Sequence, residues 1–352
     1  MRELDLTVMA RGGILLTAWA LDAGVSPGGL RGVLRTEGWQ RLCRGAWAVP
    51  GTDVDWRTRA RAIQLLAPEL VCSHRTAAAV LRIELLSDEE DDVETLEFVH
   101  PRRAADRPGV RIHRVPALSA EDHVVRRGLR VTTPARTVAD LMRAARCREE
   151  AVVPADSALA RRVIRGVRRD ALVDAEAVAA ELRARRPGAP AARRWLRLTD
   201  PGAGSPAETV ARLHLHDAGL RPECQPVLHT PSGRAVRPDF YFRAAGLVVE
   251  IEGYAFHGTR HAHERDIRRY NALSGCPGVR RILRFTAAEV FARPAEVVRT
   301  VAAALAGLEA EQDPSPPRRP RRRTRAGHRQ EAVAVGHQGR SSANLAAITG
   351  PR

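Results

Sequence analysis

Hydrophobic and polar positions along the chain fall into three patterned blocks, and the first, residues 5–52, mixes short helical and strand periods. Ile14-Leu15-Leu16-Thr17-Ala18-Trp19-Ala20-Leu21 is helical in type, and Gly24 suits a tight turn. Ser26 followed by Pro27 reads as the N-cap and first position of a second helix that reaches about Thr36. Gly38 breaks that helix, and residues 39–42 and 46–49 read as two short strands around Arg44-Gly45. Helix, glycine turn, helix and hairpin is the order of a winged helix-turn-helix. Its second helix carries Arg31 and Arg35, and Arg41 and Arg44 flank the hairpin. These four are candidate contacts to DNA phosphates or base edges.

The second block, residues 53–190, alternates between the two periods and reads as an α/β region. A helix over 56–66 is stopped by Pro68, and Ser73 opens another that runs through Arg75 to Leu81. Short strands are expected at 95–99, 110–115 and 129–132, and Thr133-Pro134 begins a helix continuing through Val138, Leu141 and Met142. Residues 156–182 read as mainly helical, and the acidic run at 88–92 reads as a solvated loop. His74, His100, His113 and His123 have no obvious partners in the sequence, so no catalytic constellation is expected here. The stretch 183–201, rich in Arg, Pro, Ala and Gly, is the expected domain boundary.

In the third block, 202–309, Ser205-Pro206 opens a helix that carries Glu208. Strands at 225–228, 236–242 and 247–252 make a three-stranded meander, followed by a charged helix over 259–273, a strand at 281–286 and a helix over 294–305. The expected fold class is therefore mixed α/β, ending in a mixed sheet flanked by helices. Glu250 and Glu252 stand among Val248, Val249 and Ile251, where ionised carboxylates are costly unless something pairs with them. The period of two puts both acids on one strand face, about 7 Å apart. If the segment ending in Asp239 pairs with that strand, three carboxylates converge and can hold Mg²⁺ or Mn²⁺ through oxygen.

Composition narrows the chemistry. All 57 basic residues are Arg, so Schiff-base, P-loop and general-base lysines are excluded, while bidentate phosphate contacts remain available. A net charge of +16 favours polyanion partners, DNA first among them. Part of that charge belongs to the Arg/Pro-rich tail, residues 312–352, which holds nine Arg against Asp313 and Glu331 and is expected to be disordered. The five scattered cysteines, with no C-x-x-C pair, imply a reducing compartment and no zinc site. No run reaches membrane-spanning length, and the apolar piece 13–21 follows Glu3 and Asp5 rather than a basic start. A cytoplasmic protein without membrane contact is expected.

Two resemblances follow from these residues. The helix-turn-helix, the Trp39…Arg44-Gly45…Trp47 wing and the segment from Thr132-Thr133-Pro134 to Ala139-Asp140-Leu141 resemble the N-terminal region of abortive-infection E antitoxins. That likeness implies a DNA-binding winged helix, repression of the protein's own promoter and a toxin-like partner protein. Pro238-Asp239, Glu250-x-Glu252-Gly253, His257, Glu264-Arg265-Asp266 and the strand Arg281–Thr286 resemble restriction-endonuclease-like nucleases of the very-short-patch-repair kind. This likeness implies Asp239 and Glu250 as metal ligands, Glu208 as a further acid and His257 as a site residue. Arg265 and Arg269 would lie on a helix face suited to a phosphate backbone. Many members of that family carry a lysine where this chain has Glu252. Glu252 would then ligate a second metal or act as a general base, or the domain kept the fold and lost the cut.

Overall fold

A computed structural model describes residues 5–86, 94–164, 166–253 and 260–312, with the side chains of 260–263 and 265 excepted. His257, the acidic run at 88–92, the Arg265 side chain and the tail from 313 onward lie outside the described residues. The chain is mixed α/β, and residues 1–312 form one compact unit.

The N-terminal elements are α1 (Leu6–Met9), β1 (Ile14–Leu16), α2 (Thr17–Asp22), α3 (Pro27–Thr36), β2 (Gln40–Cys43) and β3 (Ala46–Ala48). The expected first helix is thus divided. Ile14, Leu15 and Leu16 are all buried and pair antiparallel with β3, so the helix begins only at Thr17. Partner strands from the hairpin supply hydrogen bonds that a local reading of the apolar run does not register. The next helix matches its expectation: the Ser26 hydroxyl accepts from Gly29 N–H at 3.1 Å, Pro27 occupies the first turn, and Leu30 and Leu34 are buried. Those leucines close a small core with Leu6, Leu15, Ala20 and Trp39.

The middle region comprises α4 (Trp56–Leu66), β4 (Val71–Cys72), α5 (His74–Leu81), β5 (Leu96–His100), β6 (Ala105–Arg107), β7 (Val110–Arg114), β8 (His123–Arg126), β9 (Leu129–Thr132), α6 (Pro134–Ala144) and α7 (Arg148–Leu159). It continues with the hairpin β10 (Arg162–Ile164) and β11 (Val167–Arg169), then α8 (Ala175–Leu182) and α9 (Ala189–Leu196). The hairpin interrupts the stretch 156–182, expected to be mainly helical, since Gly166 lies between the two strands at positive φ and the chain turns there. Six strands form one sheet in the order β6-β7-β5-β4-β9-β8. Phe98, Leu129 and Val131 from this sheet pack with Val138, Met142, Ala151, Ala155 and Leu182 from the helices. Ser73 stands at the N-cap of α5 but makes no side-chain cap bond; its hydroxyl meets His74 Nδ1 at 3.0 Å instead.

The Thr132–Leu141 segment is explained by packing. Thr132 and Thr137 share a buried hydroxyl contact of 2.6 Å, and Thr133 caps α6 through Arg136 N–H. Arg136, 1% exposed, bonds Asp140 through Nε at 2.8 Å and approaches Asp122 at 3.4 Å. A buried guanidinium of this kind needs its carboxylates, which accounts for the Arg-x-x-x-Asp spacing within the helix.

The C-terminal elements are α10 (Pro206–Asp217), β12 (Glu223–Cys224), β13 (Leu228–His229), β14 (Ala235–Val236), β15 (Phe240–Phe242), β16 (Leu247–Glu252), α11 (Arg260–Ser274), β17 (Arg281–Thr286), α12 (Ala287–Ala292) and α13 (Pro294–Gln312). The sheet order is β12-β15-β16-β17, antiparallel except for the parallel β16–β17 pair, and β13 with β14 forms a separate hairpin. The expected strand over 236–242 is therefore split at Arg237-Pro238-Asp239, where Pro238 has no N–H to give to a ladder. Alternation along β15 and β16 sends Phe240, Phe242, Leu247, Val249 and Ile251 into a core with α10 and α13. Tyr241 and Val248 point to the other face, with Leu273 of α11.

The middle and C-terminal regions meet at α7 and α10. Asp156, fully buried, accepts hydrogen bonds from Asp200 N–H at 2.7 Å, Thr209 Oγ1 at 2.9 Å and Arg212 Nη2 at 2.9 Å. Arg148 holds both carboxylate oxygens of Asp217, and Val153 contributes to the C-terminal core.

Candidate functional site

Three of the expected acids gather where α10, β15 and β16 meet. Phe240 pairs with Val249 across the antiparallel strands, so the residue before it, Asp239, lies beside Glu250. Asp239 N–H donates to Glu250 Oε1 at 3.1 Å, and Ile251 N–H donates to Asp239 Oδ2 at 2.7 Å. Glu208, in the first turn of α10, accepts from Gly204 N–H at 2.7 Å and from Gln225 Nε2 at 3.0 Å. Gly204 leaves room for this approach: a Cβ there would lie 2.0 Å from Gln225 Nε2 and 2.9 Å from Glu208 Oε1, so those side-chain ends would have to swing away and their bond be broken.

Burial and mutual repulsion set the protonation of this cluster. Burial, then the nearby Asp239, pushes the Glu208 carboxyl up to about 7, against the pull of Gly204 N–H and Gln225. The same two causes raise Glu250 to about 7, opposed by Arg269. Burial also raises Asp239, although Ile251 N–H and Arg269 favour its ionised form. Arg269 of α11 reaches this group of acids, with Nη2 2.9 Å from Glu250 Oε2 and 3.5 Å from Asp239 Oδ1. The residue expected on a phosphate-facing helix surface is thus engaged by two carboxylates. Glu252 is not brought to the cluster through any bond of its own; it pairs with Arg284 on β17, which also holds Asp266 at 2.5 Å.

At the other end of the chain Arg31, Arg35, Arg41 and Arg44 are all exposed, and none enters an ion pair among the described residues. They are free to meet an external anion.

A second constellation joins residues for which the sequence offered no partners. The His74 and His113 rings stack with centroids 3.9 Å apart at an interplanar angle of 25°. His113 Nε2 lies 3.4 Å from Glu97 Oε1, and Glu97 Oε2 accepts from Arg75 N–H at 2.9 Å. Burial drives the His74 ring down to about 4, so it is neutral at physiological pH. Burial alone would raise Glu97, but His113, His74 and the Arg75 N–H outweigh it and hold the carboxyl below its ordinary value. One signal for this group was present in the sequence. Glu97 stands between Leu96 and Phe98, an acid in an apolar strand like Glu250.

No family model matches the chain, and no curated protein matches it. No helix among the described residues is long and apolar enough to cross a membrane.

Proposed function

We propose that the chain is a DNA-binding protein whose 202–309 block is a metal-dependent, restriction-endonuclease-like domain that hydrolyses phosphodiester bonds. The carrying observation is the grouping of Glu208, Asp239 and Glu250, three buried carboxyls all raised by burial, the two glutamates also by the neighbouring Asp239. Such a group is costly until a proton or a cation joins it. Its all-oxygen donors suit Mg²⁺ or Mn²⁺ in kind; the carboxylate oxygens of the three do not all lie within 4.8 Å of one another, so these residues would have to draw in around the ion they hold. When bound, the ion supplies positive charge to a phosphoryl oxygen.

The chain's own groups position the rest. Gly204 N–H and Gln225 aim Glu208, and Ile251 N–H aims Asp239. Arg269 is about half exposed, so a cation among the acids would release its guanidinium toward a phosphate. Glu252 is paired with Arg284, so it would have to leave that partner before serving a second ion or an attacking water. The helix-turn-helix order with four exposed arginines supports DNA as the target, the winged-helix element serving delivery. The test is nicking of supercoiled plasmid in Mg²⁺ or Mn²⁺. Activity should disappear in Asp239→Ala and Glu250→Ala, and activity unchanged by both refutes the reading.

A second reading is favoured by Arg269, which already supplies an internal cation to Asp239 and Glu250. In it the chain is a noncatalytic regulator or antitoxin that acts through its helix-turn-helix, together with a toxin-like partner. A mobility-shift assay on the upstream DNA should then lose affinity in the Arg31→Ala/Arg35→Ala double variant. Absence of any shift at low salt with the intact protein excludes this reading.

A further inference from the structure

We propose that His74, Glu97 and His113 form a separate metal site for a zinc-type divalent cation, with an open coordination position facing the adjoining cavity. The argument starts from topology. Glu97 and His113 lie on the parallel neighbours β5 and β7, where Glu97 pairs with Arg111 and Val99 with His113. Alternation therefore puts the two side chains on one face, and α5 brings His74 over them. The candidate ligand atoms of all three lie within 4.8 Å of one another, the one such group of His, Cys, Asp or Glu among the described residues.

Three features point to a ligand between these side chains rather than to an ordinary ion pair. His74 adopts φ +45°, a left-handed conformation costly for a residue with a side chain and found where the surrounding structure imposes it, often at functional sites. That backbone holds its ring against His113. One polar atom of each is anchored, His74 Nδ1 by Ser73 Oγ and Glu97 Oε2 by Arg75 N–H, leaving the other for a cation, as the outer partners of metal ligands commonly do. Finally, His113 Nε2 is buried and faces Glu97 Oε1 at 3.4 Å, a separation at which no well-formed hydrogen bond joins them. That separation matches the edge of about 3.3 Å between two ligand atoms of a tetrahedral ion with bonds near 2.0 Å.

Two imidazoles and one carboxylate suit zinc and its neighbours better than Mg²⁺ or Ca²⁺, which take oxygen. Three protein ligands leave a position for water or a substrate atom. A cavity of about 650 Å³ adjoins, lined by His74, Glu97 and His113 together with Arg75, Arg146 and Leu141. Arg111, 3.9 Å from Glu97 Oε1, must yield when a cation enters; it is half exposed and has Asp106 at 3.1 Å as its other partner. The cysteine spacing argued against zinc, but histidines distant in sequence escape that test.

The full-length protein, stripped with chelator, should bind one Co²⁺ per chain at this site with the visible bands of a four-coordinate nitrogen–oxygen ion. Zn²⁺ should displace it. Glu97→Gln, which keeps an acceptor for Arg75 N–H, should weaken binding about tenfold or more, and His113→Ala about 100-fold or more. Asp239→Asn, at the other cluster, should leave the signal unchanged, so this result stands or falls independently of nuclease activity. Circular dichroism checks that the variants fold, and if His113→Ala does not, Glu97→Gln and the wild-type spectrum decide. Absence of visible bands, a near-ultraviolet thiolate band from the cysteines, or equal affinity in wild type and Glu97→Gln overturns the proposal.

Discussion

Replacing Glu250 by Gln should stabilise the metal-free protein above neutral pH, although it removes a residue of the proposed active site. The Glu250 carboxyl is raised from 4.5 to about 7 by burial and by Asp239. Below pH 4.5 it is protonated in both folded and unfolded chains and contributes nothing. Between 4.5 and 7 the unfolded chain gives up the proton and the folded chain keeps it, so stability falls as pH rises, and above 7 the full penalty is present. A shift of this size corresponds to about 3 kcal/mol for an isolated group. Glu208 and Asp239 titrate with it, so the share released by one substitution is closer to ~2 kcal/mol. Gln imitates the protonated acid and carries no penalty. The assay is the thermal midpoint of both proteins in EDTA from pH 5 to 8, with the difference between them plotted so that other titrations cancel. The variant should match wild type near pH 5 and exceed it by roughly 4 to 8 °C at pH 8, given about 2–4 °C per kcal/mol for a chain of this size. Added Mg²⁺ should raise the wild-type midpoint at pH 8 and close the gap. A difference that stays flat across the range refutes the account of mutually repelling acids.

Two further outcomes follow from packing. Gly204→Ala forces a Cβ to within 2.0 Å of Gln225 Nε2, so it should cost about 1–3 kcal/mol in urea unfolding and reduce plasmid nicking, while Co²⁺ uptake at His113 stays unchanged. Arg136→Ala strips the buried guanidinium from Asp122 and leaves Asp140 with Arg143 alone, and should destabilise by about 1–3 kcal/mol in the same assay; a loss well under about 1 kcal/mol would show that the pair is not a structural requirement.

Where local chemistry decides an element, the sequence was a sufficient guide. The helix Trp56–Leu66 and the strands Leu247–Glu252 and Arg281–Thr286 have the expected bounds, because caps, prolines and β-branched runs act within a few residues. The Asp239–Glu250 pairing stood only as a condition in the sequence, which predicts two consecutive strands but not their register; the structure supplies it. What escaped depends on distant partners. Ile14–Leu16 became a strand because Ala46–Ala48 lies beside it, and His74 met His113 only through a six-stranded sheet whose order no single segment reveals. The charge of Glu252 was plain, but its use was not: Arg284 comes to it from a strand more than thirty residues away. Glu97 repeated the pattern that drew notice to Glu250, an acid among apolar strand residues, without a motif to give it weight.

The seam through Asp156 bears on how such a chain can be dissected or recombined. Thr209 and Arg212, both on the helix that carries Glu208, hang their hydrogen bonds on a carboxylate contributed some fifty residues earlier. A fragment starting near residue 202 would leave the Arg212 charge without its counter-ion and remove Val153 from the shared core. The acid-bearing block is therefore a poor transplantable cassette: its first helix inherits its footing from the preceding region. Any exchange between chains that respects the physics must carry α7 along with it.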